Sequence, residues 1–278
     1  VHVPVAEQLL VTNPASFSLH CQLPVLVKPR FGSGSRGVRV CHTMPEVLSA
    51  LSYNVDDSLV ESMVYGIEYG VDGAVFNQHA DVWLLRRKLV TADPYRVDTG
   101  YIVVNEPSDA ISKTIQAAVR ALGLNNCLFH ADIIVDEQEV VHIIELSGRP
   151  SGMNISTKLL PFATGIDLIA AVISYHLGRS PFPSPPPPKR PAALVYFPLP
   201  AGTINTIGNA ATAVEWPGVV ELNLPFRVGE IFARPSGCCT DFLRRGYALL
   251  TGATEQELTT LIDEVRNYIA QEVHIVSQ

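Results

Sequence analysis

The sequence predicts an α+β fold built mainly on antiparallel sheets, and three observations carry that prediction. β-rich runs recur in pairs joined by short polar or glycine-containing turns, amphipathic helical stretches flank them, and the regular strand–helix–strand alternation of a parallel sheet is missing. The 278 residues are 47% hydrophobic, which supplies core for one large or two modest domains. A formal charge of −7 and a pI near 5.6 argue against a nucleic-acid or anionic-membrane partner.

Taken in order, the apolar strand VLV (25–27) leads through Lys28 into a run holding Gly32, Gly34 and Gly37, and VRV (38–40) reads as a returning strand. A dinucleotide fold opens a helix directly after such glycines, and a Walker loop ends in Gly-Lys-Ser/Thr. Neither follows here, which leaves a glycine-rich hairpin loop. In LVESMVYGIEYGVDG (59–73), one strand carries Glu61, a Tyr65-Gly66 turn follows, and Glu68 starts the next strand. Residues 108–122 form a helix whose Ile111, Ile115, Ala118, Val119 and Leu122 make one apolar stripe before Gly123 ends it. FHADIIV (129–135) and VVHIIEL (140–146), joined by DEQE, read as a hairpin. Pairing Val135 with Val140 sets Asp132 opposite Ile143 and makes Asp132 and Glu145 diagonal neighbours on the open face. Ala131, Ile133, Val135, Val140, Ile144 and Leu146 then face the core, with His142 the polar exception.

FATGIDLIAAVISYHLG (162–178) is interrupted by Asp167 and His176, is too short to span a bilayer, and reads as one buried helix. The proline-rich run PFPSPPPPKRP (181–191) is an extended linker dividing residues 1–180 from 192–278. Beyond it come short strands and a last helix. Thr254 and Glu257 open that helix as a capping box, and Leu258, Leu261, Ile262, Val265, Tyr268, Ile269 and Val273 line its apolar face. Residues 1–10 lack the basic start and apolar block of an export signal, so a cytoplasmic address is expected. Cys21, Cys41, Cys127, Cys238 and Cys239 lack CxxC spacing and suit reduced thiols, the adjacent pair serving packing or loop roles.

The chemistry-bearing residues point to a metal-nucleotide site. Asp132 and Glu145 offer hard oxygens in ones and twos, which Mg²⁺ uses when phosphate oxygens complete its octahedron. Arg149, four residues beyond Glu145, has the reach to brace a transferring phosphoryl group or a substrate carboxylate. Lys28 supplies a point charge at the base of a loop whose N–H groups face phosphates, and Glu61 and Glu68 accept hydrogen bonds from adenine and ribose. Taken singly, each has a plainer reading: an edge lysine beside a surface turn, or a carboxylate facing water. Their order along the chain is what sets them apart.

That ordered set resembles the ATP-grasp superfamily, specifically carboxylate-amine ligases that include L-amino acid ligases and carnosine-synthase-like enzymes. The resemblance rests on VKPRFGSGSRGV, LVESMVYGIEYGVDG, PYRVDTGYIV and HADIIVDEQEVVHIIELSGRPSG, and it covers nearly the whole chain. It implies an ATP-grasp module over 1–180, with a glycine-loop and adenine subdomain (24–75) and a metal and substrate subdomain (76–180). A small C-terminal β-rich α+β subdomain (192–278) follows. It further implies ATP and Mg²⁺ (or Mn²⁺) as cofactors. Lys28, Ser33, Gly34 and Ser35 would be at the phosphates, Glu61, Val64 and Glu68 at adenosine, and Asp132 and Glu145 at the metal. Asp98 would face a substrate amine, Arg149 the acyl-phosphate end, and Tyr101 the tetrahedral intermediate. Two positions depart from the pattern: Ser147 stands where many relatives have Asn, and Tyr101 where related ligases have His. The domain that usually precedes the module is missing and is expected upstream or on another chain. The implied activity is ADP-forming ligation of small carboxylate and amine substrates, with homo-oligomerisation left open. The alternatives are a non-catalytic nucleotide-binding accessory subunit and a biotin-carboxylase-like or purine-pathway ligase.

Overall fold

A computed structural model of the chain describes residues 3–14, 17–18, 22–54, 57–104, 106–182 and 190–277. Cys21 and residues 183–189 of the proline run lie outside the described residues. The first layer is a four-stranded antiparallel sheet of β1 (Gln8–Val11), β2 (Val25–Pro29), β3 (Arg39–Cys41) and β4 (Ser58–Ser62), in the order β1-β4-β2-β3. Helix α1 (Met44–Tyr53) covers it, packing Val47, Ala50 and Leu51 against Val11, Val25, Val27 and Val60. This helix is an addition to the sequence reading. Its start is a full capping box between Thr43 and Glu46 with a proline in the first turn, which satisfies donors that the helix itself leaves orphaned.

The second layer begins with β5 (Ile67–Phe76), β6 (His79–Val90), β7 (Asp98–Val104), α2 (Asp109–Ala121), β8 (Cys127–Val135) and β9 (Val141–Ser147). A π-helical turn (Ile155–Leu159) runs into α3 (Leu160–Thr164), followed by α4 (Leu168–His176), β10 (Ala192–Tyr196), β11 (Gly202–Ile207) and β12 (Val219–Asn223). The chain ends with β13 (Ile231–Phe232), α5 (Thr240–Leu243), β14 (Tyr247–Thr251), α6 (Glu255–Glu272) and β15 (Val273–Val276). Eight strands form one antiparallel sheet in the order β12-β14-β10-β7-β6-β5-β8-β9, and β13-β11-β15 form a small third sheet. Strand β10 pairs with β7, Leu194 opposite Tyr101, so the large sheet runs through strands that precede and follow the proline run.

One face of the large sheet is covered by α2, with Ile111, Ile115 and Val119 against Val71, Leu85, Phe129 and Ile133, and by α6 toward the β10–β14 end. The other face is covered at one end by residues 155–176, which pack on Tyr101, Leu128, Leu194 and Tyr196. The rest of that face is left for the first layer to overhang. Ser108, read from the sequence as the first helical residue, is instead the cap of α2, its hydroxyl accepting from the Ile111 N–H.

Three sequence expectations are corrected. Residues 162–178 are not one helix: α3 ends at Gly165, the Asp167 side chain caps α4 by accepting from the Ala170 N–H, and the two segments bend by 100°. Val273 leaves the helical stripe and begins β15, which pairs with β11. At the start of α6, Thr254 accepts from Glu257 N–H, but the Glu257 carboxylate reaches Ala253 N–H, one residue short of the expected box. Among the described residues, no single helix is long and apolar enough to cross a membrane.

Ile115 is fully buried between α2 and the sheet. Ile115→Ala is expected to cost about 2–5 kcal/mol, a methylene loss plus a residual cavity, read as a lower urea midpoint at unchanged slope.

Candidate nucleotide and metal site

Four strands align the centre of the site in one row. Arg86 on β6 pairs with Gly70 on β5, Gly70 with Asp132 on β8, and Asp132 with Glu145 on β9. A Cβ at Gly70 would overlap the Arg86 guanidinium, so glycine there opens the groove through which Arg86 reaches across β5 toward Asp132, 3.9 Å away.

The hairpin register differs from the sequence expectation. Asp136 Oδ1 accepts from the N–H groups of Gln138 and Val140, which tightens the turn and pairs Val135 with Val141. A bulge in β9 between its Ile143 and Glu145 pairs then restores the phase and sets Asp132 directly opposite Glu145, not diagonal to it. The buried face is corrected with it. Val141 and Ile143 join the core, Val140 is exposed, and Ile144 turns into the cleft beside Ile134. His142 is half-buried and bonded to Asp136 Oδ2 at 2.8 Å.

Opposite charges interleave around this row. Lys88 Nζ lies 2.9 Å from Asp132 and 3.0 Å from Asp98, and Arg86 Nε donates to Asp72 at 2.8 Å. Ser151 also donates to Asp72, and the Arg86 guanidinium lies 4.7 Å above the Tyr101 ring. Burial opposes the charge on Lys88, but Asp132, Asp98 and Glu68 outweigh it and hold the ammonium above the usual lysine range. Burial likewise pushes Asp132 up, yet Lys88 and Arg86 keep its carboxyl below the usual carboxylate range. Asp98 shares the same lysine, but burial, together with the Asp132 charge, pushes its carboxyl up.

Between the sheets lies a cleft of about 360 Å³. Lys28, Ser33, Gly34, Ser35, Glu61, Val64, Glu68, Asp132 and Glu145 all line it. Lys28 and Glu61, on neighbouring strands, form an ion pair at 2.7 Å, and Glu68 is held by Arg96, whose Nε lies 3.1 Å away. Three residues singled out from the sequence do not line the cleft. Asp98 sits behind Lys88, Tyr101 is buried with its O–H donating to Asp98 at 2.9 Å, and exposed Arg149 donates to the Pro150 carbonyl.

Lys88, Arg86 and Arg96 are the residues that sequence reasoning missed. The Arg86-Arg87-Lys88 triplet carried a usable signal, because on a strand its first and third members share a face. Arg87 points the other way and meets Glu255 at 2.7 Å. Arg96 had no such signal, since a loop between strands brings it to Glu68.

Among the described residues no three His, Cys, Asp or Glu side chains converge into a full metal cage. Asp132 and Glu145, adjacent hard oxygen donors, fit a Mg²⁺ that takes its remaining ligands from phosphate.

A family model described as ATP-grasp domain matches residues 21–158. An uncharacterized protein of Sinorhizobium fredii is 26% identical over 257 residues, 86% of this chain and 51% of that protein. The chain thus spans about half the length of that relative. The crystal structure of an L-amino acid ligase from Bacillus licheniformis superposes with a TM-score of 0.82 at 21% identity, covering 99% of this chain and 68% of the other. A carboxyaminoimidazole ribonucleotide synthase from Aspergillus clavatus, complexed with ATP, gives 0.67 at 16% identity, covering 97% and 70%. At these identities the likeness is one of fold.

Removing Lys88 would leave two neighbouring carboxylates without their shared cation. Lys88→Ala is expected to destabilise the protein by about 3–5 kcal/mol, measurable by chemical denaturation, because a charge buried without its partner costs more than the pair gained.

Proposed function

We propose that the chain is an ATP-dependent, ADP-forming ligase that activates a small carboxylate and joins it to an amine, a reading supported by the ATP-grasp domain model that matches residues 21–158. The observation that carries this reading is Asp132 beside Glu145 in the cleft that also holds the glycine loop, Lys28, Glu61 and Glu68. A carboxylate oxygen attacks the γ-phosphorus of ATP, ADP leaves, and an acylphosphate forms. The amine nitrogen then attacks the acyl carbon, phosphate leaves, and an amide results.

In this reading Lys28 and the N–H groups of Ser33, Gly34 and Ser35 hold phosphates, Glu61 and Val64 hold adenine, and Glu68 releases Arg96 to accept from the ribose. Asp132 and Glu145 would hold Mg²⁺ or Mn²⁺, which when bound offsets charge on the phosphate oxygens. Lys88, fixed by Asp132 and Asp98, presents a preorganised cation to the same oxygens. Asp98, behind Lys88 and outside the cleft, acts by fixing that ammonium instead of receiving the amine, and Tyr101, whose O–H is given to Asp98, orients that carboxylate instead of reaching the intermediate itself. Arg149 must leave the Pro150 carbonyl to brace the acyl-phosphate end. A carboxylating reaction, the kind for which the Aspergillus clavatus neighbour is named, is the second reading. ADP formation that requires bicarbonate in place of another carboxylate selects it.

The test is ADP release and product mass with Mg-ATP and panels of carboxylates and amines. Glu145→Ala is expected to lower release by about 100-fold or more, the scale of several kcal/mol that a bound cation contributes. The exposed position of Glu145 leaves the unfolding midpoint nearly unchanged. Full activity of that variant would remove the metal assignment, and substrate-independent ADP release across the panels would remove the ligase reading.

A further inference from the structure

The tip of the glycine loop does not hang free over the cleft. The Gly34 carbonyl accepts from the Cys239 N–H at 3.0 Å, which ties the loop of the first layer to the segment entering α5. Both thiols of the adjacent pair press on Gly34 itself. A Cβ built there would lie 3.1 Å from Cys239 Sγ and 3.2 Å from Cys238 Sγ, and the backbone φ of +66° also favours glycine. Hardly any space remains for another atom between the sulfurs and the loop. Cys238 is 2% exposed in this seated arrangement, with Thr240 Oγ1 at 3.1 Å and an Arg36 guanidinium nitrogen at 4.0 Å from its sulfur.

We propose that Cys238 is a thiol modification site at which a low-molecular-mass disulfide, by exchange, holds the glycine loop off its seat. The Cys238 thiolate attacks one sulfur of the disulfide. A new S–S bond forms, the old one breaks, and the departing half takes the electron pair and the proton that Cys238 gave up. The attached group has no room beneath Gly34, so adduct and seated loop exclude one another.

The two cysteines are not equivalent. Burial pushes both thiols up, but hydrogen bonds from Thr240 and the Arg36 cation bring Cys238 below the usual thiol range, while Cys239 is pushed up to about 12. Cys238 is therefore the attacking sulfur, and Cys239 stays protonated and leaves the mixed disulfide in place. Thr240, the larger lowering influence, stands on α5 and stays beside Cys238 when the loop lifts and uncovers the sulfur, whereas the weaker Arg36 contact leaves with the loop. The regulatory consequence rests on the proposal that this loop binds phosphates.

The experiment treats the full chain with oxidised glutathione, maps the adduct by peptide mass spectrometry, and follows hydrogen exchange of amides 32–37. The expected result is an adduct on Cys238, severalfold faster exchange across the loop, and reversal by dithiothreitol. Cys238→Ser should lose both responses, and Cys127→Ser should keep them. No adduct on Cys238, or an adduct with loop exchange unchanged, overturns the proposal. Binding of a fluorescent ATP analogue separates the two readings. A reduced protein that binds no nucleotide but shows the loop response overturns only the phosphate role, whereas equal binding by reduced and modified protein overturns the switch.

Discussion

The pairing of opposite charges at the middle of an otherwise apolar sheet is the constraint on which the rest of this structure depends. Arg86, Lys88, Asp72, Asp98 and Asp132 all stand on the inner strands of the eight-stranded sheet, and none is stable there alone. The pairing fixes geometry as well as energy. Lys88 holds Asp132 and Asp98 from one side, Arg86 holds Asp72 while its guanidinium rests on Tyr101, and Gly70 leaves the corridor between them open. In the proposed function, a nucleotide phosphate arriving in the cleft would meet groups already oriented by one another, which is how a site avoids reorganisation during charge transfer.

The upper layer is tied to this centre from several directions. The Val40 N–H donates to the Pro94 carbonyl at 3.0 Å and Arg39 lies over the Tyr95 ring, while the β6–β7 connection that receives both is itself held to β5 by Arg96 on Glu68. On the opposite side, the Pro4 carbonyl accepts from Ile143 on the large sheet while the Glu7 carbonyl accepts from Ser62 on the four-stranded one. The opening segment of the chain therefore straps the two sheets together. The 91–97 connection and this strap set how far the glycine loop stands above Asp132.

Local patterns carried much of the fold. The α2 stripe, the hairpin around the glycines, and the paired strands bearing Glu61 and Glu68 were written in periodicity and turn residues. The α1 helix was also written there, in Thr43, Pro45 and Glu46, although its brevity masks the periodicity. What local pattern does not encode is phase and long-range meeting. The turn at Asp136 moves residues 141–143 by one place, the β9 bulge moves Glu145 and the residues after it by one more, and no residue type announces the bulge. Nor does anything near Glu68 announce Arg96, or anything near Gly34 announce Cys239, because loop closure between distant segments decides those contacts.

The pairing of β10 with β7 has a topological consequence. The central strands cannot all find their partners until residues on the far side of the proline run have been synthesised and have looped back. A shortened chain ending in that run would present β7 as a bare edge, its Gly100–Ile102 backbone groups open to the nearest β-forming neighbour, and self-association of the fragment is the outcome such an edge invites. The last third of the polypeptide thus acts as the sheet's chaperone in cis.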